Sequence, residues 1–379
     1  MDSSAQQVAY DRRVRTNLKY LDEFQGCFIG GAAGDAFGYP LEFLSYGDII
    51  AKYGESGLQH YVLTDVGEAL ISDDTQMTLF TAVGLLIGKT RLMYRGIGAS
   101  YADYVADAYT TWYDMQMGQR PQYGAGWLTT ITELGVQRSP GATCMTVLGN
   151  TEFGTPQHPI NDRKGCGGIM RIAPVGLYLH RADGQNGDLN QLYETAAEIA
   201  ALTHGHELGW MPAAMQAHLI NTLAYSSDSL ETCITQVLQV TEQQFARCEH
   251  LPALTSLVRK ALEFTQNTRP DIVNIAELGQ GWVAEETLAI AIYCAVKYQD
   301  DFSSALRAAV NHSGDTDSTG AVTGSILGTY LGYSGIPEMW KQHLECKDVL
   351  LKMAHDLCRD CQGTEYFEPD EQWVAEYSC

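Results

Sequence analysis

Glycine recurs every fourth residue in two distant segments of this chain. Gly26, Gly30, Gly34 and Gly38 lie near the start, and Gly320, Gly324, Gly328 and Gly332 near the end. In a helix, residues four apart share one face, so each set would form a stripe bare of side chains. An interior glycine costs a helix about 1 kcal/mol relative to alanine. Four together therefore require a compensating interaction, most simply a second helix packed very close. The alternative for "GGAAGDAFG" is a dinucleotide loop, which needs a preceding hydrophobic strand and GxGxxG spacing. Neither is present.

The rest of the chain also reads as helix. In "TQMTLFTAVGLLIG", Leu79, Ala82, Val83, Leu86 and Ile87 follow the i, i+3, i+4, i+7, i+8 pattern, with Phe80 and Leu85 apolar on the other side. A helix apolar almost all round is a buried one. Similar patterns recur in "YETAAEIAALTH", "WMPAAMQAHLINTLAY", "AEETLAIAIYCAVKY" and "FSSALRAAV", and strand-type alternation is nearly absent. An all-α fold follows, with 379 residues enough for one large domain. Residues 1–21 are expected to form an arm, 22–362 the helical domain, and 363–379 an acidic, aromatic tail. The most irregular region, 117–163, is rich in Gly, Pro and Thr, and long loops of this kind are often functional.

Acids outnumber bases 46 to 24, for a formal charge of -22. Such a surface repels nucleic-acid phosphates and anionic membranes, so neither is an expected partner. An anionic ligand would have to be held locally, by bound cations or backbone amides. The chain shows neither a signal-type core nor an apolar run of membrane-spanning length, so the cytoplasm is the expected compartment and the ten cysteines are expected as thiols. Cys358 and Cys361 form one CxxC pair without a second at zinc-finger spacing.

Two acid-hydroxyl clusters each open an apolar helix: Ser72-Asp73-Asp74 in "ISDDTQM", and Asp315-Thr316-Asp317-Ser318 in "NHSGDTDSTGAV". Singly, each reads as an N-cap with acids complementing the helix dipole. A helix needs one cap, however, and buried carboxylates must be paired or bind a cation. Hard oxygens at this density suit Mg²⁺, Mn²⁺ or Ca²⁺. Four carboxylates from two helix starts could hold two such ions, an arrangement used for displacement at oxygen. In "RKGCGGIMRIAPVGL", Gly165, Gly167 and Gly168 make either an anion-binding nest or an ordinary tight turn, with Arg171 assisting or paired to an acid. In "ALTHGHELG", His204 and His206 belong to a polar loop, unless His204 stacks on a base or ribose.

"GCFIGGAAGDAFGYPLEF", "SDDTQMTL", "KGCGGIMRIAPVGL", "THGH" and "HSGDTDSTGAVTGSILG", in that order, resemble the ADP-ribosylglycohydrolase family over roughly residues 22 to 335. The resemblance implies an orthogonal helical bundle with a centre of two Mg²⁺ or Mn²⁺ ions. It implies hydrolysis of the bond between the anomeric carbon of ADP-ribose and a modified protein side chain, arginine foremost. Ser72, Asp73, Asp74, Asp315, Asp317 and Ser318 match the family's metal ligands, and Glu42 an acid beside them. Glu42, Asp73 and Asp317 are then the proton-transfer candidates. Gly165, Cys166, Gly167, Gly168, Ile169 and Met170 match the diphosphate-binding turn, and His204 a residue of the ADP-ribose cleft. Ser72 and Ser318 stand where threonine also occurs, and Glu207 where proline is frequent, which puts the shape of that loop in question. The implied partner is an ADP-ribosylated protein. Some bacterial relatives protect against ADP-ribosyltransferase toxins, so a protein that blocks such a toxin through its N-terminal arm is one alternative. An all-α Mg²⁺-dependent diphosphate enzyme is another, but its DDxxD pattern lacks a third acid after Asp74.

Overall fold

A computed structural model describes residues 18–121, 124–181, 186–361 and 370–378. Most of the arm expected at 1–21 lies outside them. The described residues form seventeen α-helices and no β-strand, in one domain. Those that frame the functional region are α1 (Leu21–Gly38), α2 (Asp73–Arg95), α3 (Tyr101–Gln116), α4 (Leu189–Ala201), α5 (Glu207–Tyr225), α6 (Ala284–Lys297), α7 (Thr316–Gly335) and α8 (Glu371–Tyr377). No helix among the described residues is long and apolar enough to cross a membrane. The nine cysteines described form no disulfide.

The two glycine stripes pack on each other. A methyl group added at Gly26, Gly30 or Gly34 would overlap the carbonyl oxygen of Gly328, Gly324 or Gly320, respectively, and the same holds in reverse. At Gly38 the overlap would be with the carbonyl of Thr316. The pairs run in opposite directions along the chain, so α1 and α7 are antiparallel and touch backbone to backbone. Small residues permit such an approach, and carbonyls set against Cα–H groups add a weak attraction. Asp22 closes the far end of the ladder by accepting from the Ser334 amide (3.0 Å) and hydroxyl (2.7 Å). There Gly332 takes φ 71°, a left-handed conformation that breaks the regular helix.

Around this pair, α2 packs on α3, α4 on α5, and α6 on α7. As expected, α2 is buried nearly all round, from Asp73 to Thr90. Part of the segment expected as a tail is packed on the domain. In α8, Trp373 and Tyr377 are buried, and Trp373 Nε1 donates to Thr90 Oγ1 of α2 at 2.9 Å. The irregular region contains two short 3₁₀ turns and the helix Ala142–Asn150.

A ladder held by backbone contact tolerates no added methyl group. Gly30→Ala and Gly324→Ala should each destabilise the fold by about 2 kcal/mol or more, the range of overpacking in a core without slack. Scanning calorimetry should show a transition several degrees lower or no folded protein. Gly98→Ala, where the added methyl would meet only Leu92 at 3.5 Å, should leave the transition in place.

Candidate active site

The ladder delivers two helix ends to one place. Thr316 Oγ1 donates to the Gly38 carbonyl at 2.8 Å, tying the end of α1 to the start of α7. From Gly38 a 3₁₀ turn, Tyr39–Leu41, carries the chain to Glu42, whose amide bonds back to the Gly38 (3.2 Å) and Tyr39 (3.3 Å) carbonyls. Glu42 therefore stands beside the acids that open α7. One turn earlier on α1, buried Asp35 accepts from the amides of Ser72 (3.0 Å) and Thr75 (3.1 Å), and from the Thr75 hydroxyl. Asp35 thus anchors the start of α2 to α1 and brings in the first acid cluster.

Capping and site-building use the same side chains. Ser72 Oγ accepts from the Asp74 amide at 3.2 Å. Asp315 caps α7 by accepting from the Ser318 amide at 3.2 Å, and Asp317 accepts from the same amide at 3.0 Å. Asp73 accepts from the Gly141 amide at 3.1 Å. The Cys166 thiol donates to Asp315 Oδ2 at 2.7 Å.

Most of these groups border a pocket of about 560 Å³. Glu42, Asp73, Asp74, Asp315, Asp317 and Ser318 line it, with Gly165, Cys166, Gly167, Met170 and His204 on one side and residues 139–144 on another. Of the residues expected at the site, Ser72, Gly168 and Ile169 do not line the pocket: all three are buried. The amides of Cys166, Ile169 and Met170 already bond to backbone carbonyls, whereas those of Gly165, Gly167 and Gly168 have no backbone acceptor among the described residues, and of these three Gly165 and Gly167 line the pocket. The nest is therefore narrower than the six-residue stretch expected from the sequence.

The electrostatics are severe. Burial first, then the neighbouring Asp317, pushes the Glu42 carboxyl up to about 9 and that of Asp35 up to about 7. Asp73, Asp74 and Asp315 are raised well above the ordinary range, again by burial first, although the Gly141 amide partly offsets this at Asp73. Asp317 is raised by burial and eased by bonds from Asp315 and Ser318. Among the described residues no cationic side chain forms an ion pair with any of these six acids; Arg138 pairs with Glu345 (3.2 Å) and Lys164 with Glu285 instead. Asp74 Oδ2 and Glu42 Oε2 are buried without a hydrogen-bond partner.

His204 is held in the opposite sense. Burial, then the nearby charge of Arg171, lowers its imidazole to about 3, so the ring is neutral. Its Nδ1 lies 2.8 Å from Thr203 Oγ1, which also accepts from Arg171 Nη2 at 2.7 Å. The ring packs on Gly167, where a side chain would collide with it. Arg171 takes neither role expected of it. It is fully buried, stacks on Tyr109 (4.2 Å) and forms no ion pair with a described acid. His206 caps α5 by accepting from the Leu208 amide at 2.9 Å. Glu207 accepts from the His250 amide at 2.7 Å.

The donor set suits a hard divalent cation: carboxylate and hydroxyl oxygens, two of them orphaned, with no competing cation. As they stand, no three His, Cys, Asp or Glu side chains among the described residues are closed around a metal position. The sequence reading missed Asp35, whose one visible signal is a lone acid within the glycine stripe. It also missed Phe43 and Trp282, exposed aromatic residues that line the pocket.

The sequence matches the family described as ADP-ribosylglycohydrolase over residues 16–366. It is 26% identical over 369 residues to ADP-ribosylhydrolase ARH3 of Bos taurus, covering 88% of this chain and 93% of that one. ADP-ribosylarginine hydrolase Tri1 of Serratia proteamaculans is 25% identical, with 93% of this chain and 81% of the relative covered. ADP-ribosyl-[dinitrogen reductase] glycohydrolase of Rhodospirillum rubrum is 24% identical, with coverage of 88% and 97%. A solved structure described as an ADP-ribosylglycohydrolase-related protein complex superposes with a TM-score of 0.59 at 22% identity, over 90% of this chain and 98% of the other. At that identity it supports the fold alone.

Raised carboxyls bind protons in the folded state that the unfolded chain releases. Their stabilising contribution is complete below the ordinary values, 4.5 for Glu42 and 3.8 for Asp35, and is lost as pH rises through about 9 and about 7. Protein held in chelator should therefore unfold at progressively lower temperature from pH 5 to pH 9. Asp74→Asn should raise the transition by a few degrees at pH 8. A flat calorimetric profile would contradict the clustering.

Proposed function

Since the chain belongs to the ADP-ribosylglycohydrolase family, we propose that it removes mono-ADP-ribose from modified protein side chains, with arginine as the acceptor, in a reaction that depends on two Mg²⁺ or Mn²⁺ ions. Ser72, Asp73, Asp74, Asp315, Asp317 and Ser318 would hold the ions. The observation that carries this reading is the convergence of both acid clusters and Glu42 on one pocket, with two carboxylate oxygens left unpartnered. Arginine is favoured by the likeness to a relative named as an ADP-ribosylarginine hydrolase. Family membership sets aside the diphosphate-enzyme alternative. The blocking arm, and with it the toxin as partner, rests on residues mostly outside those described.

Bound cations would supply orientation of the ribose hydroxyls and stabilisation of negative charge on oxygen. The chain's own groups do the rest. The Gly167 amide receives a diphosphate oxygen, at a turn kept open because His204 leaves no room for a side chain there. His204, neutral, lines the cleft without placing a further charge beside it. Around the anomeric carbon, Asp73 and Asp317 favour an oxocarbenium-like transition state, as carboxylates do in other glycosyl hydrolyses. Glu42, the acid whose proton is most firmly held among those with a stated value, moves a proton between water and the departing atom.

Asp317→Asn should lower the rate of ADP-ribose release from an arginine-modified peptide by about a hundredfold or more, and chelator should abolish it. Calorimetric titration with Mg²⁺ or Mn²⁺ in two buffers of different ionisation heat should also show protons released on binding, because the raised carboxyls must ionise to ligate. Full activity of Asp317→Asn at saturating cation would refute the assignment.

A further inference from the structure

Two aromatic rings stand in solvent beside the acids of the pocket. Phe43 is 70% exposed and Trp282 36% exposed. Their rings stack with centroids 5.4 Å apart and planes 24° from parallel. Phe43 sits at φ 67°, a left-handed conformation that a bulky side chain rarely adopts. The turn that imposes it is closed by the Leu44 amide donating to the Leu41 carbonyl at 2.9 Å. That turn sends Glu42 into the pocket and the next side chain outward. Trp282 follows Gly281, which packs on the backbone of Asp315, and its carbonyl accepts from the Cys166 amide at 3.2 Å. Phe43 thus directly follows Glu42, and Trp282 sits on a segment packed against Asp315 and Cys166.

An exposed aromatic pair on a strained backbone at the edge of a polar pocket calls for a ligand. The faces of the rings are electronegative and the neighbouring residues are acids. That combination attracts a flat, delocalised, weakly hydrated cation. We propose that Phe43 and Trp282 form the subsite for the guanidinium of the arginine from which ADP-ribose is released, a proposal that rests on the hydrolase reading above. In the reaction the water oxygen bonds to the anomeric carbon as the carbon–nitrogen bond breaks. The bonding pair leaves on nitrogen, which takes up one of the water's protons by way of a carboxyl group, so the side chain departs as a guanidinium and nothing is oxidised or reduced. The rings hold that cation in the substrate and as it departs. A neutral acceptor such as a serine hydroxyl would gain nothing from them.

The test compares the unaltered protein with Trp282→Ala, Trp282→Phe and Phe43→Gly. The readouts are kcat/KM on an ADP-ribosylated arginine peptide, the Kd of free ADP-ribose by calorimetry, and the unfolding temperature. Phe43→Gly keeps the turn and relieves its backbone, so its unfolding temperature should not fall. Trp282→Ala and Phe43→Gly should each lose about tenfold in kcat/KM, the worth of one partly desolvated cation–π contact. Trp282→Phe should recover part of the loss, and the Kd of free ADP-ribose should stay within twofold throughout. Unchanged kcat/KM in the variants would overturn the subsite. A Kd that weakens in step with kcat/KM would overturn it too, and would show instead that the rings stack on adenine. An unaltered protein that binds ADP-ribose yet spares the arginine linkage sinks the acceptor reading together with the subsite. One that does neither sinks the hydrolase reading itself.

Discussion

The fold depends on one contact: the backbone of α1 lying directly on the backbone of α7. Glycine is a poor helix former, and ten of them in two helices would be a liability in an isolated chain. The register of 26 with 328, 30 with 324 and 34 with 320 turns that liability into a fixed alignment, because each position admits only its glycine partner. Side-chain packing between helices usually leaves some freedom to slide or rotate. Carbonyls seated on bare Cα atoms leave much less. The end of α1 is therefore set against the start of α7, and Asp35 extends the same frame to the start of α2.

That rigidity matters because the site would not assemble unaided. Five buried acids and the half-buried Glu42, without a paired cation, repel one another and resist ionisation. Left to side-chain preferences, they would turn toward water. Their backbones are instead held by capping bonds, by the Asp35 anchor and by the ladder, so the protein stores electrostatic destabilisation where it would do chemistry and offsets it in the apolar core around α2 and α7. The cap-or-ligand alternative posed by the two clusters dissolves here. Ser72 and Asp315 do cap their helices, yet the carboxyl groups of the same segments still face one pocket.

The sequence carried the periodic parts of this structure well. Glycine every fourth residue announced a close helix pair, continuous apolar faces announced burial, and the paired acids at two helix starts line one pocket. What it did not carry depends on tertiary placement. Asp35 looks like one more acid until the fold sets it against the Ser72 amide. Arg171 reads as an anion ligand or an acid's partner from its neighbours in sequence, but it is turned away onto Tyr109, where ring faces and soft sulfur atoms surround it. Phe43 and Trp282 lie 239 positions apart in the sequence and obey no pattern; only the turn at Phe43 reveals them. The segment after residue 362 reads as tail because its acids dominate its composition, while burial is decided by two side chains, Trp373 and Tyr377.

The antiparallel ladder also dictates a timetable. Its two strands of glycine are separated by nearly three hundred residues, so the defining contact is among the least local the chain can make. At ribosomal speeds of 5–20 residues per second, α7 emerges roughly 15–60 seconds after α1. Throughout that interval the first glycine helix lacks its glycine partner, and no carboxylate cluster faces another. The pocket comes into being late, as the last third of the polypeptide closes on the first.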